Sequence, residues 1–229
     1  MAGKVRCKKT NFDGSVKIST TVAHDGYLMG DTSSSGTPTY VGSTDGLKLT
    51  LAATDEVEIV TLHWGDVLGV DIDDLEKIVF RDVKVSASFV DTLVIGLGSA
   101  LNADPDAMTA NAWFKLAGSN ALVAEADDGT TDNDDKATGI TLSTTALTLE
   151  IDFTTEIYSA SKATSKGKQA TFWVTDSNGV RRRVAQTVAF RMDAYSSGLQ
   201  PFVQIQKASG TTTPNVSVRE IEVYYRSVS

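Results

Sequence analysis

The 229-residue chain holds one cysteine, two histidines and no apolar run of membrane-spanning length. Each shortage removes a class of chemistry. A lone Cys7 permits no intrachain disulfide, no thiolate metal cluster and no Cys-x-x-Cys redox pair, and stands as an unpaired thiol near a chain end. His24 and His63 lie far apart in unlike contexts, so a zinc site built on them would have to recruit carboxylates from elsewhere. No segment approaches the ~20 apolar residues of a bilayer-spanning helix, and the basic opening MAGKVRCKKT is not followed by the apolar stretch of a signal peptide. A protein made in the cytoplasm is the expectation. There is no Gly-x-Ser-x-Gly nucleophile elbow and no phosphate-binding P-loop, and Gly96-Leu97-Gly98 has Leu101 where a dinucleotide fingerprint needs its third glycine. Positive charge is also in deficit: 21 Lys and Arg against 29 Asp and Glu give a formal charge of −8. General binding to nucleic acid or to an anionic membrane needs a basic footprint, so neither is expected.

What the sequence does have is alternation with period two, the mark of strands that bury one face. Val83, Val85, Ala87 and Phe89 alternate with Lys84, Ser86 and Ser88; Leu47, Leu49 and Leu51 alternate with Lys48 and Thr50. Leu147, Leu149, Ile151 and Phe153 face away from Thr148, Glu150, Asp152 and Thr154, and Ile221, Val223 and Tyr225 repeat the pattern. Further strands are expected at 57–64, 92–97, 112–116, 122–126, 170–175, 182–190 and 202–207. Long polar loops are expected at 30–46, 127–139, 159–168 and 209–215, and a type I′ hairpin at Asn178-Gly179. Only 71–77 and 104–110 have the composition of short helices, and no 3.6-residue periodicity is sustained. The expected fold is all-β: a two-sheet antiparallel β-sandwich of jelly-roll, concanavalin-like type. Residues 1–45 read as a less regular N-terminal arm with the first strands, packed on a jelly-roll domain of residues 46–229.

Candidate chemistry is sparse. The stretch ADDGTTDNDD carries Asp127, Asp128, Asp132, Asp134 and Asp135, the makings of a calcium site. It fails the EF-hand pattern, since Thr130 stands third from Asp128, and Lys136 and Ala137 stand fifth and sixth from Asp132. A flexible oxygen shell around Ca²⁺ and a plain solvated loop both remain open, and no other cofactor is expected. Glu150-Ile151-Asp152-Phe153-Thr154-Thr155-Glu156 resembles the E-[ILV]-D-x-(x)-E strand of laminarinase-like glycoside hydrolases, whose outer glutamates act as nucleophile and acid/base. Here the last carboxylate comes six positions after the first, where that family has four or five. Two extra residues displace a side chain by roughly 6–7 Å, so the strand reads as the wet face of a sandwich and the chain as no enzyme. Trp64, Trp113 and Trp173 could form a sugar-stacking platform or fill a core. The clusters Lys4, Arg6, Lys8, Lys9 and Arg181, Arg182, Arg183 are the candidate partner-binding residues.

Two further stretches carry a resemblance. Leu62-His63-Trp64-Gly65-Asp66-Val67-Leu68, running into Asp71-Ile72-Asp73-Asp74-Leu75-Glu76, and Leu199-Gln200-Pro201-Phe202-Val203-Gln204-Ile205-Gln206-Lys207-Ala208 resemble uncharacterised virion proteins of tailed bacteriophages and prophages. Trp113-Phe114 and Asp127-Asp128-Gly129 lie between them, so the likeness spans about residues 45–226. The resemblance implies a concanavalin-like sandwich in the virion, decorating or cementing the capsid. It also implies a homo-oligomer, trimer before dimer, in contact with the major capsid protein or other virion proteins. The alternative is a carbohydrate-binding or host-recognition module associated with the tail, with a glycan as partner.

Overall fold

A computed structural model describes residues 4–65, 69–87, 89, 91–164 and 166–227. Asp66, Val67 and Leu68 of the phage-like run, Ser88, and the first three residues of the expected arm lie outside the described residues. Two antiparallel sheets form a sandwich. The first joins β14 (Arg181–Val184), β13 (Lys166–Thr175), β12 (Leu147–Tyr158) and β7 (Leu75–Val85), then forks along β7. One branch is β18 (Glu220–Ser227) with β1 (Lys4–Asn11); the other is β17 (Asn215–Val218), β4 (Gly46–Thr50) and β3 (Thr39–Ser43). The second sheet runs β11 (Asp132–Thr141), β10 (Ala121–Asp127), β9 (Asn111–Ala117), β8 (Thr92–Gly98), β16 (Gly198–Lys207), β5 (Glu58–His63) and β2 (Leu28–Asp31). Two short strands attach at the margins: β6 (Val70–Asp71) on β16, and β15 (Phe190–Arg191) on β13.

The apolar halves of the alternating strands meet between the sheets. Ile78, Phe80, Leu149, Ile151, Phe172 and Val223 on one side face Leu93, Ile95, Phe114, Val203 and Ile205 on the other, all fully or almost fully buried. The outer face of the second sheet is covered as well. Residues 99–110, a strap with one 3-10 turn at Pro105–Ala107, cross it and seat Met108 on Val94, Trp113 and Phe202. Gln204 Nε2 donates to the strap's Ala103 carbonyl at 3.0 Å.

Gly96 shows how tightly this face is built. A Cβ there would stand 2.3 Å from the Ala112 carbonyl oxygen and 2.5 Å from Trp113 Cα, both backbone of β9, to which Gly96 is paired. Gly96→Ala should therefore lower stability by about 1–3 kcal/mol through overpacking, read as an earlier urea midpoint with an unchanged slope.

Within residues 4–45 the first strands are part of the sandwich itself, β1 and β3 in the first sheet and β2 in the second. Several sequence expectations need correction. The expected helix at 71–77 is a turn, with Asp74 N donating to Asp71 O at 3.0 Å and β7 starting at Leu75. The region 182–190 is split between β14 and β15 rather than one strand. At Asn178-Gly179 only Gly179 has positive φ (80°), because the turn is not a two-residue type I′ loop. The loop spans residues 176–180, and Asp176 holds it by accepting from Asn178 N and Val180 N. Most of the expected loop at 127–139 is strand β11, whose backbone pairs with β10 although its side chains carry no apolar alternation.

Candidate functional site

Between the two sheets, beside β1, lies a groove of about 400 Å³. Trp64, Val70 and Tyr225 line it with apolar surface, and Lys8, Asp71, Asp74 and Arg226 supply polar groups. The fold holds each piece in place. Trp64 follows β5, donates its backbone N–H to Gln200 Oε1 at 2.9 Å and packs edge-on to Tyr27 at 5.6 Å. Lys8 projects from β1 so that its ammonium lies 5.9 Å from the Trp64 ring centroid, within cation–π reach. The unbroken pairing of β18 with β1 sets Tyr225 opposite Arg6. Arg226 N donates to Asp74 O at 2.8 Å, and its guanidinium meets the Glu76 carboxylate. Asp71 is fixed through β6, opposite Gly198, and accepts from Asp73 N at 2.9 Å. Aromatic surface rimmed by carboxylates and cations can bind a ligand that is apolar on its faces and rich in hydroxyls at its edges, and the volume falls within the usual range of small-molecule sites.

The three-tryptophan platform does not exist. Trp113 is fully buried, Trp64 is 4% exposed, and half-buried Trp173 lies on the outer face of the first sheet with the Arg181 guanidinium 3.7 Å from its ring centroid. Arg181 also reaches Glu150 at 2.8 Å, and Arg182 reaches Asp176 at 3.4 Å, while Arg183 pairs in register with Trp173. Lys9 is held by Glu220 at 2.7 Å and Glu222 at 3.6 Å, which raises its pKa. Burial pushes the Glu222 carboxyl up, but hydrogen bonds from Arg81 and Tyr224 outweigh it and set it at about 2.

The glycosidase-like strand is broken by its backbone. On β12 the register passes from Asp152 opposite Thr171 to Thr155 opposite Gln169, a bulge of one residue. Directly opposed residues share a face, so Asp152 and Thr155 point one way and Glu156, opposite Lys168, points the other. Glu150 is engaged by Arg181 and by Lys77 at 3.8 Å, Asp152 accepts from Thr154 N, and Glu156 pairs with Lys166 at 2.9 Å.

Nor are the five aspartates brought to one point. Asp127 accepts from Gly129 N at 2.7 Å. Asp128 is buried; one oxygen accepts from Thr130 N and Thr131 N, and the other from Ala194 N at 2.9 Å, tying the turn to the segment after β15. Asp135 leans 3.6 Å from Lys115 Nζ, while the Asp134 carboxyl is pushed up by burial and then by Asp132. Among the described residues no group of three or more His, Cys, Asp or Glu side chains has the arrangement of a metal site.

Instead, a lysine stands at the centre of the carboxylates. Lys115 Nζ lies 3.0 Å from Asp106 of the strap and 3.2 Å from Glu125, which is 1% exposed. Burial raises the Glu125 carboxyl to about 7 despite the neighbouring ammonium. Burial works against the charge on Lys115, but hydrogen bonding to Asp106 and the charge of Glu125 prevail and raise its pKa. A second buried cation, Lys207, meets Glu58 at 3.3 Å, both side chains being fully enclosed. Sequence reading missed both pairs. Their signal was a charge set among buried strand residues, as Lys115 in NAWFKLA, Glu125 in ALVAEAD and Lys207 at the end of PFVQIQK.

No family model matches the chain, and no curated protein does. Solved structures do. Peanut lectin superposes with a TM-score of 0.58 at 10% identity, covering 99% of both chains. A β-glucanase of Bacillus licheniformis gives 0.56 at 9% identity, covering 97% of this chain and 98% of its own. A lectin from Bauhinia forficata, solved with GalNAc, gives 0.54 at 10% identity, covering 97% and 99%. At such identities the likeness is one of fold, and that fold is the concanavalin-like jelly roll.

Proposed function

We propose that the chain is a carbohydrate-binding β-sandwich module without catalytic activity, and that the groove between Trp64 and Tyr225 is its saccharide site. The observation that carries this reading is the groove itself: an aromatic lining with cations and carboxylates on its rim, set into the fold of sugar-binding lectins. A sugar ring offers a C–H face to an aromatic surface and hydroxyls to both carboxylates and ammonium groups. Lys8, Asp74 and Tyr225 would make these contacts. The bulge in β12 and the ion pairs of Glu150 and Glu156 support a role in recognition rather than hydrolysis. Host recognition on a phage particle is the setting in which this reading meets the resemblance to virion proteins.

Affinity electrophoresis through gels containing polysaccharides tests the assignment. Retardation by at least one polymer is expected, and Tyr225→Ala or Lys8→Ala should weaken it about tenfold, the loss of roughly 1.4 kcal/mol. Retardation that survives both substitutions would move the site elsewhere.

A further inference from the structure

The groove does not end at Lys8. On β1, Thr10 is fully buried and Lys8 lies over Trp64, whereas Lys9 turns outward to Glu220 and Glu222. Strand alternation then places Arg6 and Lys4 on the same side as Lys8. Three cations thus stand about 6–7 Å apart along one side of one strand, with Arg6 directly opposite the groove's Tyr225. Arg6 and Lys4 are exposed, on an edge strand whose pairing to β18 is unbroken from Lys4 to Asn11. The two carboxylates that share the groove with Lys8 come from other elements: Asp71 from β6, attached to the other sheet, and Asp74 from the turn before β7.

This is an unusual deposit of positive charge on a chain of net charge −8. An edge strand needs some charge to discourage pairing with other chains, but that role does not require the charges to run on from an aromatic groove on the groove's own side. The geometry points to an acidic polysaccharide as the ligand: one sugar in the groove against half-buried Tyr225, and the following acid groups laid along Lys8, Arg6 and Lys4. This inference rests on the saccharide-binding reading above and narrows it to polymers with a repeating carboxylate or sulfate.

The test uses the full chain and two polymer pairs matched in backbone: polygalacturonate with its methyl ester, and dextran sulfate with dextran. A single-stranded DNA oligonucleotide serves as a polyanion without sugar faces of this kind. At least one acidic polymer should bind, and its neutral counterpart should bind about tenfold more weakly or less. With three neutralised charges and a salt slope of about −2, raising salt from about 50 to about 200 mM should weaken the acidic polymer by about tenfold or more. The double change Lys4→Gln with Arg6→Gln should close most of the gap between the acidic polymer and its neutral counterpart, and Tyr225→Ala should weaken both about tenfold. Equal, salt-insensitive binding within a pair, untouched by the double change, overturns this inference and leaves the saccharide site standing. Absence of binding by all four polymers overturns the saccharide reading itself. Oligonucleotide binding as tight as that of the acidic polymers, and indifferent to Tyr225→Ala, replaces the acidic glycan with a surface for polyanions at large.

Discussion

Lys207→Met should destabilise the protein by about 3–5 kcal/mol, the cost of leaving a buried charge without its partner. Lys207 and Glu58 are both fully enclosed. The ammonium donates to the carbonyls of Ala52, Thr54, Gly210 and Thr212 and lies 3.3 Å from Glu58 Oε2, so five acceptors share its three protons. It therefore pins the turn before β5 to the one after β16, acting as an internal cation where two loops present their carbonyls to each other. Methionine fills the stem but leaves the enclosed Glu58 side chain, which accepts from Ala52 N, and the four carbonyls without their cation. Equilibrium unfolding in urea should show the loss. The paired change Lys207→Met with Glu58→Gln should cost less than the sum of the two singles, because the uncompensated charge is gone. A loss below about 1 kcal/mol in the single variant would be the value of a surface ion pair and would show that the loops are held by other contacts.

Lys115→Met should have a comparable cost that depends on pH. The Glu125 carboxyl sits at about 7 against an ordinary 4.5. A group raised in this way favours the folded state fully below its unfolded value, and that contribution disappears as pH climbs from 4.5 through 7. Removing the neighbouring ammonium raises the carboxyl further and leaves Glu125, Asp106 and Asp135 facing one another without a counter-charge. At pH 5 the variant can protonate Glu125 and should lose only about 1–2 kcal/mol, whereas at pH 8 the folded variant must either take up a proton against the solution pH or bury an unpaired carboxylate, and the loss should approach about 3–5 kcal/mol. Thermal unfolding at the two pH values reads the difference, and a loss equal at both would mean that Glu125 is not the group left uncompensated. The strap should loosen with it, since Lys115 is its ion-pair anchor through Asp106.

The fold was legible wherever one strand face is buried, because burial writes period two into the side chains. Leu147 to Phe153 on β12 and Ile221 to Tyr225 on β18 are examples. It was not legible where pairing depends on backbone alone. β11 is an edge strand reading DNDDKATGIT, joined to β10 by main-chain hydrogen bonds that leave no trace in hydropathy. The aspartates at 71–74 have the composition of a helix start, yet Asp71 satisfies Asp73 N and closes a turn, which serves a strand equally well. The groove was the least visible of all. Lys8, Trp64, Asp71 and Tyr225 come from segments up to 217 positions apart in the chain, and only the register of β1 on β18, with the attachment of β6 to β16, brings them together. The basic run at Lys4 to Lys9 was visible as charge but not as direction. Strand geometry divides it, sending Lys9 to the outer carboxylates and Lys8, Arg6 and Lys4 to the groove side.

The most direct test is an amide NMR titration of the labelled full chain with a short acidic oligosaccharide such as oligogalacturonate. Saccharide recognition in this groove predicts shifts concentrated at Lys4, Arg6, Lys8, Val70, Asp71, Tyr225 and Arg226, with the Trp64 indole signal moving alongside. Shifts centred on Trp173 and Arg181, on the opposite flank of the first sheet, or an unchanged spectrum at saturating sugar, would contradict it.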